Sequence, residues 1–403
     1  MSLTLASLGP WLPGGAATRP HGAAMRSTGW VMPLRDIELL VAIAVLSRLI
    51  IVLAFVLAYA ANPARMEGGP DDIFCNWDCS WYIDIAEKGY WLVTDADKHG
   101  VANWAFFPLL PAAIAGVTAA TGLPAAYAGL VVANVAWCLG LYFIYLLARD
   151  YGGSPFARYV SLLYGFWPFG VHASVPMTEA VFVPLSIGLF LFARRGGWLM
   201  ALPLAAALSA SRTVGVLTVI PLFVLASREY GLWRVIFIRP GTERAVLALA
   251  ASGLGLALYM LHLNGLMGDA LAFAHNQNAW NRQFKWPWMM LLDELNPAYV
   301  SGPWLIANAC NAATALAAFA LLPPLWQRGL KPEAIFAGLA LAAAFLTGTT
   351  NSLPRYSGGL FPFILAVALL TDRPLGRTPT LVLSLAGLAI FAFAWAMEQF
   401  YVM

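Results

Sequence analysis

Charge is what this sequence has least of. Only 11% of its 403 residues are Asp, Glu, Lys or Arg, and 61% are hydrophobic; a soluble globular chain is about a quarter charged and about half apolar. That scarcity excludes an ordinary soluble enzyme. A formal net charge of +3 is too small to suggest a nucleic-acid binder. Lysine is rarer still: among 23 basic residues only Lys88, Lys98, Lys285 and Lys331 are lysines, a bias that, with the abundant alanine, fits a GC-rich bacterial genome. His99, His172, His262 and His275 lack zinc-ligand spacing. There is no glycine-rich nucleotide loop, no internal repeat, and no polar block large enough to hold a sugar nucleotide. Of the 4 cysteines, Cys138 and Cys310 lie in apolar blocks and read as packing residues. Cys75 and Cys79 flank Trp77 and Asp78, and spacing alone leaves open whether they pair. Residues 1–36 lack the apolar core of a cleavable signal and are expected to be a disordered cytoplasmic tail, with Met25 and Met32 as alternative starts.

What is present is apolar length. Blocks at 37–61, 124–148, 156–171, 177–194, 198–226, 244–264, 303–324, 332–350, 357–371 and 378–400 approach or exceed the roughly 20 residues of a membrane-crossing helix. Lipid offers the backbone no hydrogen bonds, so such blocks must be helical, and their unbroken hydrophobicity rules against a β-barrel. Block 198–226 is too long for one crossing and reads as two short helices meeting at Arg212. The expectation is an all-α polytopic bundle with about eleven spanning helices, as one membrane domain over 37–403. Segment 105–121 reads as juxtamembrane or re-entrant. Arg149, Arg158, Arg194, Arg195, Arg228, Arg328, Lys331, Arg373 and Arg377 then all fall inside with the N-terminus. Loops 62–104 and 265–302 face outward, so chemistry is expected on the periplasmic side of an inner membrane.

Loop 62–104 holds the acids Asp71, Asp72, Asp78, Asp84, Glu87, Asp95 and Asp97. Most read as solvated. Asp78 differs: Trp77 and Trp81 bracket it, and Tyr82 and Ile85 follow at the spacing of an interfacial helix. A carboxylate partly desolvated there gains basicity. Intramembrane charges default to functional candidates, which brings in Arg48, Arg212 and Arg355; an arginine fork suits phosphate. Glu179 stands at an outer helix end. The run from His275 to Arg282, with Gln277, Asn278 and Trp280, suits carbohydrate: amides bond hydroxyls and indoles cover sugar faces. It equally suits an interfacial aromatic belt.

Trp77-Asp78, Tyr82, Ile85-Ala86-Glu87, Gly89-Tyr90, Phe106-Phe107-Pro108 and Pro111 together resemble the PIG-V family, which includes the GPI mannosyltransferase II enzymes and bacterial relatives and belongs to the GT-C superfamily. Met177-Thr178-Glu179-Ala180, Ser211-Arg212 with Gly215, and Pro354-Arg355-Tyr356 with Phe361-Pro362 follow in order, so the resemblance spans about residues 40–365. It implies a GT-C-type bundle that moves a hexose, here mannose, from a polyprenyl-phosphate carrier to a glycolipid, glycan or protein hydroxyl. Asp78 would be the catalytic base, with Asp71 and Asp72 as alternatives. Arg355, Arg212 and Arg48 would bind donor phosphate. Glu179, Trp77, Tyr82, Gln277, Asn278, Trp280, Arg282 and Tyr356 would contact sugar or acceptor. Displacing phosphate in line inverts the anomeric centre; a retaining course needs another carboxylate arrangement. A lipid monophosphate donor requires no cofactor, and Asp71, Asp72 and Asp78 are the set that would hold a divalent ion. The rival class is a transporter or lipid flippase, for which repeat symmetry would be expected.

Overall fold

The computed structural model describes residues 29–66, 69–95, 100–280 and 282–399. The expected tail over residues 1–28 lies outside them, as do Asp97, Lys98 and His99. In order along the chain the helices are α1 (Leu34–Ala61), α2 (Cys79–Lys88), α3 (Leu109–Thr121), α4 (Ala125–Gly165), α5 (Thr178–Arg194), α6 (Trp198–Ser211), α7 (Val219–Tyr230), α8 (Leu232–Ile236) and α9 (Glu243–Ala251). They continue as α10 (Leu254–Met267), α11 (Ala272–His275), α12 (Pro287–Glu294), α13 (Pro303–Phe319), α14 (Leu322–Gln327), α15 (Lys331–Phe345), α16 (Leu353–Gly358), α17 (Phe361–Thr371) and α18 (Pro374–Ala396). Among the described residues the only extended pairing is a single bridge between Asp95 and Val101.

α1 shows why these helices belong in lipid. Leu40, Ile43, Ser47, Ile51, Ala54 and Ala58 recur at helical spacing and are buried. The opposite face is Val41, Val45, Leu49, Val52 and Val56, all exposed. A helix apolar on both its packed and its open face is stable only in a membrane or a large core. Five helical stretches among the described residues are long and apolar enough to cross, and six if the α9–α10 pair, bent by 42°, is one span. The other expected spans are helical but shorter. α5, α15 and α17 have 17, 15 and 11 residues and are mostly buried by their neighbours. The chain is thus a polytopic helical membrane protein.

Breaks in the apolar blocks are local chemistry. α4 changes direction at Gly153, whose φ of 76° is a glycine conformation. α6 stops at Ser211, Arg212 is extended, and a 3-10 turn over Thr213–Thr218 leads into α7. That turn needs Gly215, since a Cβ there would lie 2.3 Å from the Leu208 carbonyl oxygen.

The first helix begins before the boundary expected at residue 36. Asp36 is buried and accepts hydrogen bonds from Arg158 and Tyr145. Nearby, Glu333 accepts from Arg194 and Tyr151, and Arg195 pairs with Asp150 at 2.7 Å. Charges this deep persist only when paired and hydrogen-bonded. They tie the start of α1, the Gly153 bend, the end of α5 and the start of α15 into one end of the bundle.

Candidate active site

On α5, Glu179 near the start and Arg194 at the end stand about 22 Å apart at 1.5 Å per residue, so they mark opposite ends of the molecule. At the Glu179 end lies a cavity of about 420 Å³. Its polar lining residues are Asp78, Arg212, Thr213, Gln277, Arg282 and Tyr356. Its apolar lining includes Phe106, Phe107 and Phe182, and Ala340, Ala343 and Ala344 of α15.

Asp78 immediately precedes α2. A turn from Phe74 to Trp77 delivers it, and Cys75 and Cys79 on either side of it form a disulfide, resolving the pairing that spacing left open. Its Oδ2 accepts from Arg355 Nη1 at 2.8 Å. Arg355, on the six-residue α16, also lies 3.4 Å from Glu179 Oε1 through Nε. Glu179 in turn accepts from Arg212 Nη1 at 2.6 Å. Asp78, Arg355, Glu179 and Arg212 therefore form one chain of alternating charge. Tyr356 completes it: its ring lies 4.6, 5.1 and 5.4 Å from the Arg212, Arg355 and Arg282 guanidinium carbons, and its hydroxyl accepts from Arg282. Burial raises the Tyr356 hydroxyl pKa, but the charges of Arg282, Arg355 and Arg212 outweigh it and bring it down to about 8. Tyr82, on α2 beside this chain, is pushed the other way by burial and by the Asp78 carboxylate.

The structure places the expected site residues unevenly around the cavity. Arg355 is buried behind the cavity wall, its side chain 5% exposed, whereas Arg212 and Arg282 line the cavity; Arg282, expected as a sugar contact, is one of its two lining cations. Arg48 is elsewhere. It sits midway along α1, donates to Asn134 Oδ1 at 2.9 Å and lies 3.8 Å above the Trp137 ring, because α1 packs on α4 and α18 rather than on the site. Of the described first-loop acids only Asp78 lines the cavity; Asp71 and Asp72 are on the preceding 3-10 turn. Among the described residues no three His, Cys, Asp or Glu side chains are grouped to hold a metal ion. Trp77 packs against the ends of α1 and α18. Tyr82 packs edge-on to Phe106, and Asn278 points to the exterior; neither they nor Trp77 line the cavity. Gln277 and Trp280 do, and the Trp280 indole Nε1 is buried without a partner.

Sequence reasoning missed the apolar wall and the clasp between loops. Ala340, Ala343 and Ala344 recur on one face of α15, a small-residue stripe that was the available signal. Asn276 accepts from the Ala102 amide at 3.1 Å and donates to the Gly100 carbonyl at 2.9 Å, fastening loop 100–106 to the Gln277 segment. No sequence pattern announces that pairing.

No family model and no curated protein sequence matches the chain. Among solved structures it is similar to ArnT from Cupriavidus metallidurans bound to undecaprenyl phosphate, at 17% identity and TM-score 0.49 over 83% of this chain and 62% of that one. The apo state of the same protein gives 17% identity and TM-score 0.47 over 83% and 61%. The apo oligosaccharyltransferase of Archaeoglobus fulgidus gives 11% identity and TM-score 0.42 over 88% and 55%. The chain thus spans about three fifths of the length of the ArnT structures.

Proposed function

We propose that this chain is a GT-C-type glycosyltransferase that moves a sugar from a polyprenyl-phosphate carrier to an acceptor hydroxyl on the non-cytoplasmic face of the membrane. The observation that carries the reading is one cavity whose lining combines a carboxylate and two arginines with alanine, leucine and aromatic side chains. A lipid-linked sugar has the matching parts: a hydroxylated ring, an anionic phosphate and an isoprenoid chain.

Each step then has a residue. The acceptor hydroxyl attacks the anomeric carbon and Asp78 takes its proton. The carbon–oxygen bond to phosphate breaks, and the phosphate leaves with the electron pair towards Arg212 and Arg282, whose guanidinium groups stabilise the developing charge. Arg355 holds Asp78 and Glu179 in place from behind. Gln277 and Trp280 contact the sugar, and the α15 wall accepts the first isoprene units. In-line displacement inverts the anomeric centre. Mannose follows from the PIG-V resemblance of the first-loop motif.

The test is transfer by purified protein in lipid, supplied with radiolabelled polyprenyl-phosphate-mannose and a membrane extract as acceptor pool, beside Asp78→Ala. Wild type should make labelled product, and the variant should lose about 10²-fold or more of the turnover. Undiminished turnover in folded Asp78→Ala protein sinks the base assignment. Movement of lipid-linked sugars across the bilayer without product from any of them sinks the transferase in favour of a flippase.

A further inference from the structure

The backbone that carries Asp78 is held in an unfavourable shape. Trp77 has φ of 57°, in the left-handed region, where a bulky side chain persists only when its surroundings over-determine it. Ahead of Trp77 the chain is bolted to the end of α18: Asn76 Nδ2 donates to the Trp395 carbonyl at 2.8 Å, and Trp395 Nε1 donates to the Phe74 carbonyl at 3.0 Å. Behind it, Cys79 is fully buried among residues from the ends of α1 and α18. The Cys75–Cys79 bridge closes the interval, and the ring it makes contains Asn76, Trp77 and Asp78 alone.

Stabilisation by loop closure grows with ring size. A bridge between residues 4 apart in sequence therefore stabilises the fold as a whole less than a long-range bridge would. Its effect is local. It fixes the direction in which the residue after Trp77 leaves the turn, and that residue meets Arg355 at 2.8 Å.

We infer that the Cys75–Cys79 bridge is a positioning device for Asp78 and makes the site redox-gated: transfer requires the bridge, and its reduction lets Trp77 leave the left-handed region and Asp78 leave Arg355. Closing the bridge takes two protons and two electrons from the cysteine thiols; a disulfide oxidant of the thiol-exchange class accepts them and departs as a dithiol. Dithiothreitol reverses the step, giving two thiols and its own cyclic disulfide. The catalytic half of this inference rests on the proposed transferase activity; the conformational half does not.

The experiment uses the full chain in lipid nanodiscs in three states: as purified, reduced with dithiothreitol, and reoxidised with oxidised glutathione. Alkylation under denaturing conditions followed by intact mass reports the state, with Cys138 and Cys310 as the constant background. Amide hydrogen exchange reports residues 74–88, and turnover of a lipid-linked sugar gives kcat and KM. Reduction should lower kcat by about ten- to a hundredfold, as a misplaced catalytic group does, with little change in donor KM. Reoxidation should restore it. Exchange should rise at 76–82 and not in α5 or α15. A Cys75→Ser, Cys79→Ser double variant should match the reduced state and ignore dithiothreitol. Wild-type kcat in that variant overturns the inference, as does unchanged exchange. So does a parallel loss of kcat, donor affinity and thermal stability, which marks a merely structural bridge. If no lipid-linked sugar is turned over in any state, the transferase reading alone fails, and the exchange at 76–82 decides this one.

Discussion

Tyr356 stands among three guanidinium groups and titrates where most tyrosines do not, at about 8. The sign follows from the direction. A hydroxyl whose folded pKa lies below its unfolded value of about 10 stabilises the fold as phenolate. That contribution is complete above about pH 10 and is lost as pH falls through about 8. For binding the effect is opposite. Phenolate formation cancels one positive charge beside Arg212 and Arg282, so donor KM should rise several-fold between about pH 7 and 9. Tyr356→Phe should flatten that rise; a KM profile that keeps its slope in the variant removes Tyr356 from the site. The arginines separate in the same way. A hydrogen bond to a charged group is worth about 1.5–3 kcal/mol, so Arg212→Gln or Arg282→Gln should weaken polyprenyl-phosphate binding by roughly ten- to a hundredfold. Arg355→Gln should leave that affinity nearly unchanged and lower kcat, because Arg355 touches Asp78 and Glu179 rather than the cavity. Equilibrium binding of a fluorescent polyprenyl phosphate checks all three. That Asp78 would stand apart from the other first-loop acids was legible from its tryptophans and spacing, and it lines the cavity. The division among the arginines was not: a sequence places Arg355 and Arg212 at helix ends, but only packing decides which one lies behind the wall.

α10 lies against α6 through a glycine. A Cβ on Gly255 would stand 2.1 Å from the Ala206 carbonyl oxygen and 2.5 Å from the Ala210 amide nitrogen, and the Gly255 amide donates to Ser209 Oγ at 3.0 Å. The backbones touch, so Gly255→Ala must push the helices apart. Overpacking of this kind costs about 1–3 kcal/mol, and the variant should melt earlier in detergent; Gly265→Ala, on the same helix with open space at its Cβ, should not. Equal melting of the two would refute the contact. The helices themselves were largely readable from apolar length, including the break at Arg212 and the amphipathic α2. Their ends were less so. Leu34 precedes the expected start because Asp36 reads as a terminal charge until Arg158 and Tyr145 are seen around it. The block at 357–371 begins its helix only at Phe361, since α16 ends at Gly358, where a Cβ would meet the Phe169 ring at 2.2 Å. Contacts between distant segments set those limits, and a hydropathy pattern contains no distances.

The molecule as a whole has two chemically different ends. One gathers Asp36, Asp150, Arg158, Arg194, Arg195 and Glu333 into buried ion pairs, with the exposed Arg239 in the turn between α8 and α9 on the same side of α5. The other carries the cavity, the disulfide and the exposed aromatics Trp286, Trp288 and Trp304. Short basic connections stay in the cytoplasm, and disulfides persist in oxidising compartments. The two rules rest on unrelated chemistry, and both predict the same orientation: ion pairs inside, cavity outside. Site-directed labelling measures it. In a background with Cys138→Ala and Cys310→Ala, Asn278→Cys should react with a membrane-impermeant maleimide on intact cells. Arg239→Cys should react only after the membrane is opened. Both side chains are exposed, so neither result depends on unfolding. The reverse pattern would put the cavity in the cytoplasm, where glutathione keeps thiols reduced. The bridge beside Asp78 and the lipid-linked donor would then both have to be abandoned, since a cytoplasmic site has soluble sugar nucleotides at hand.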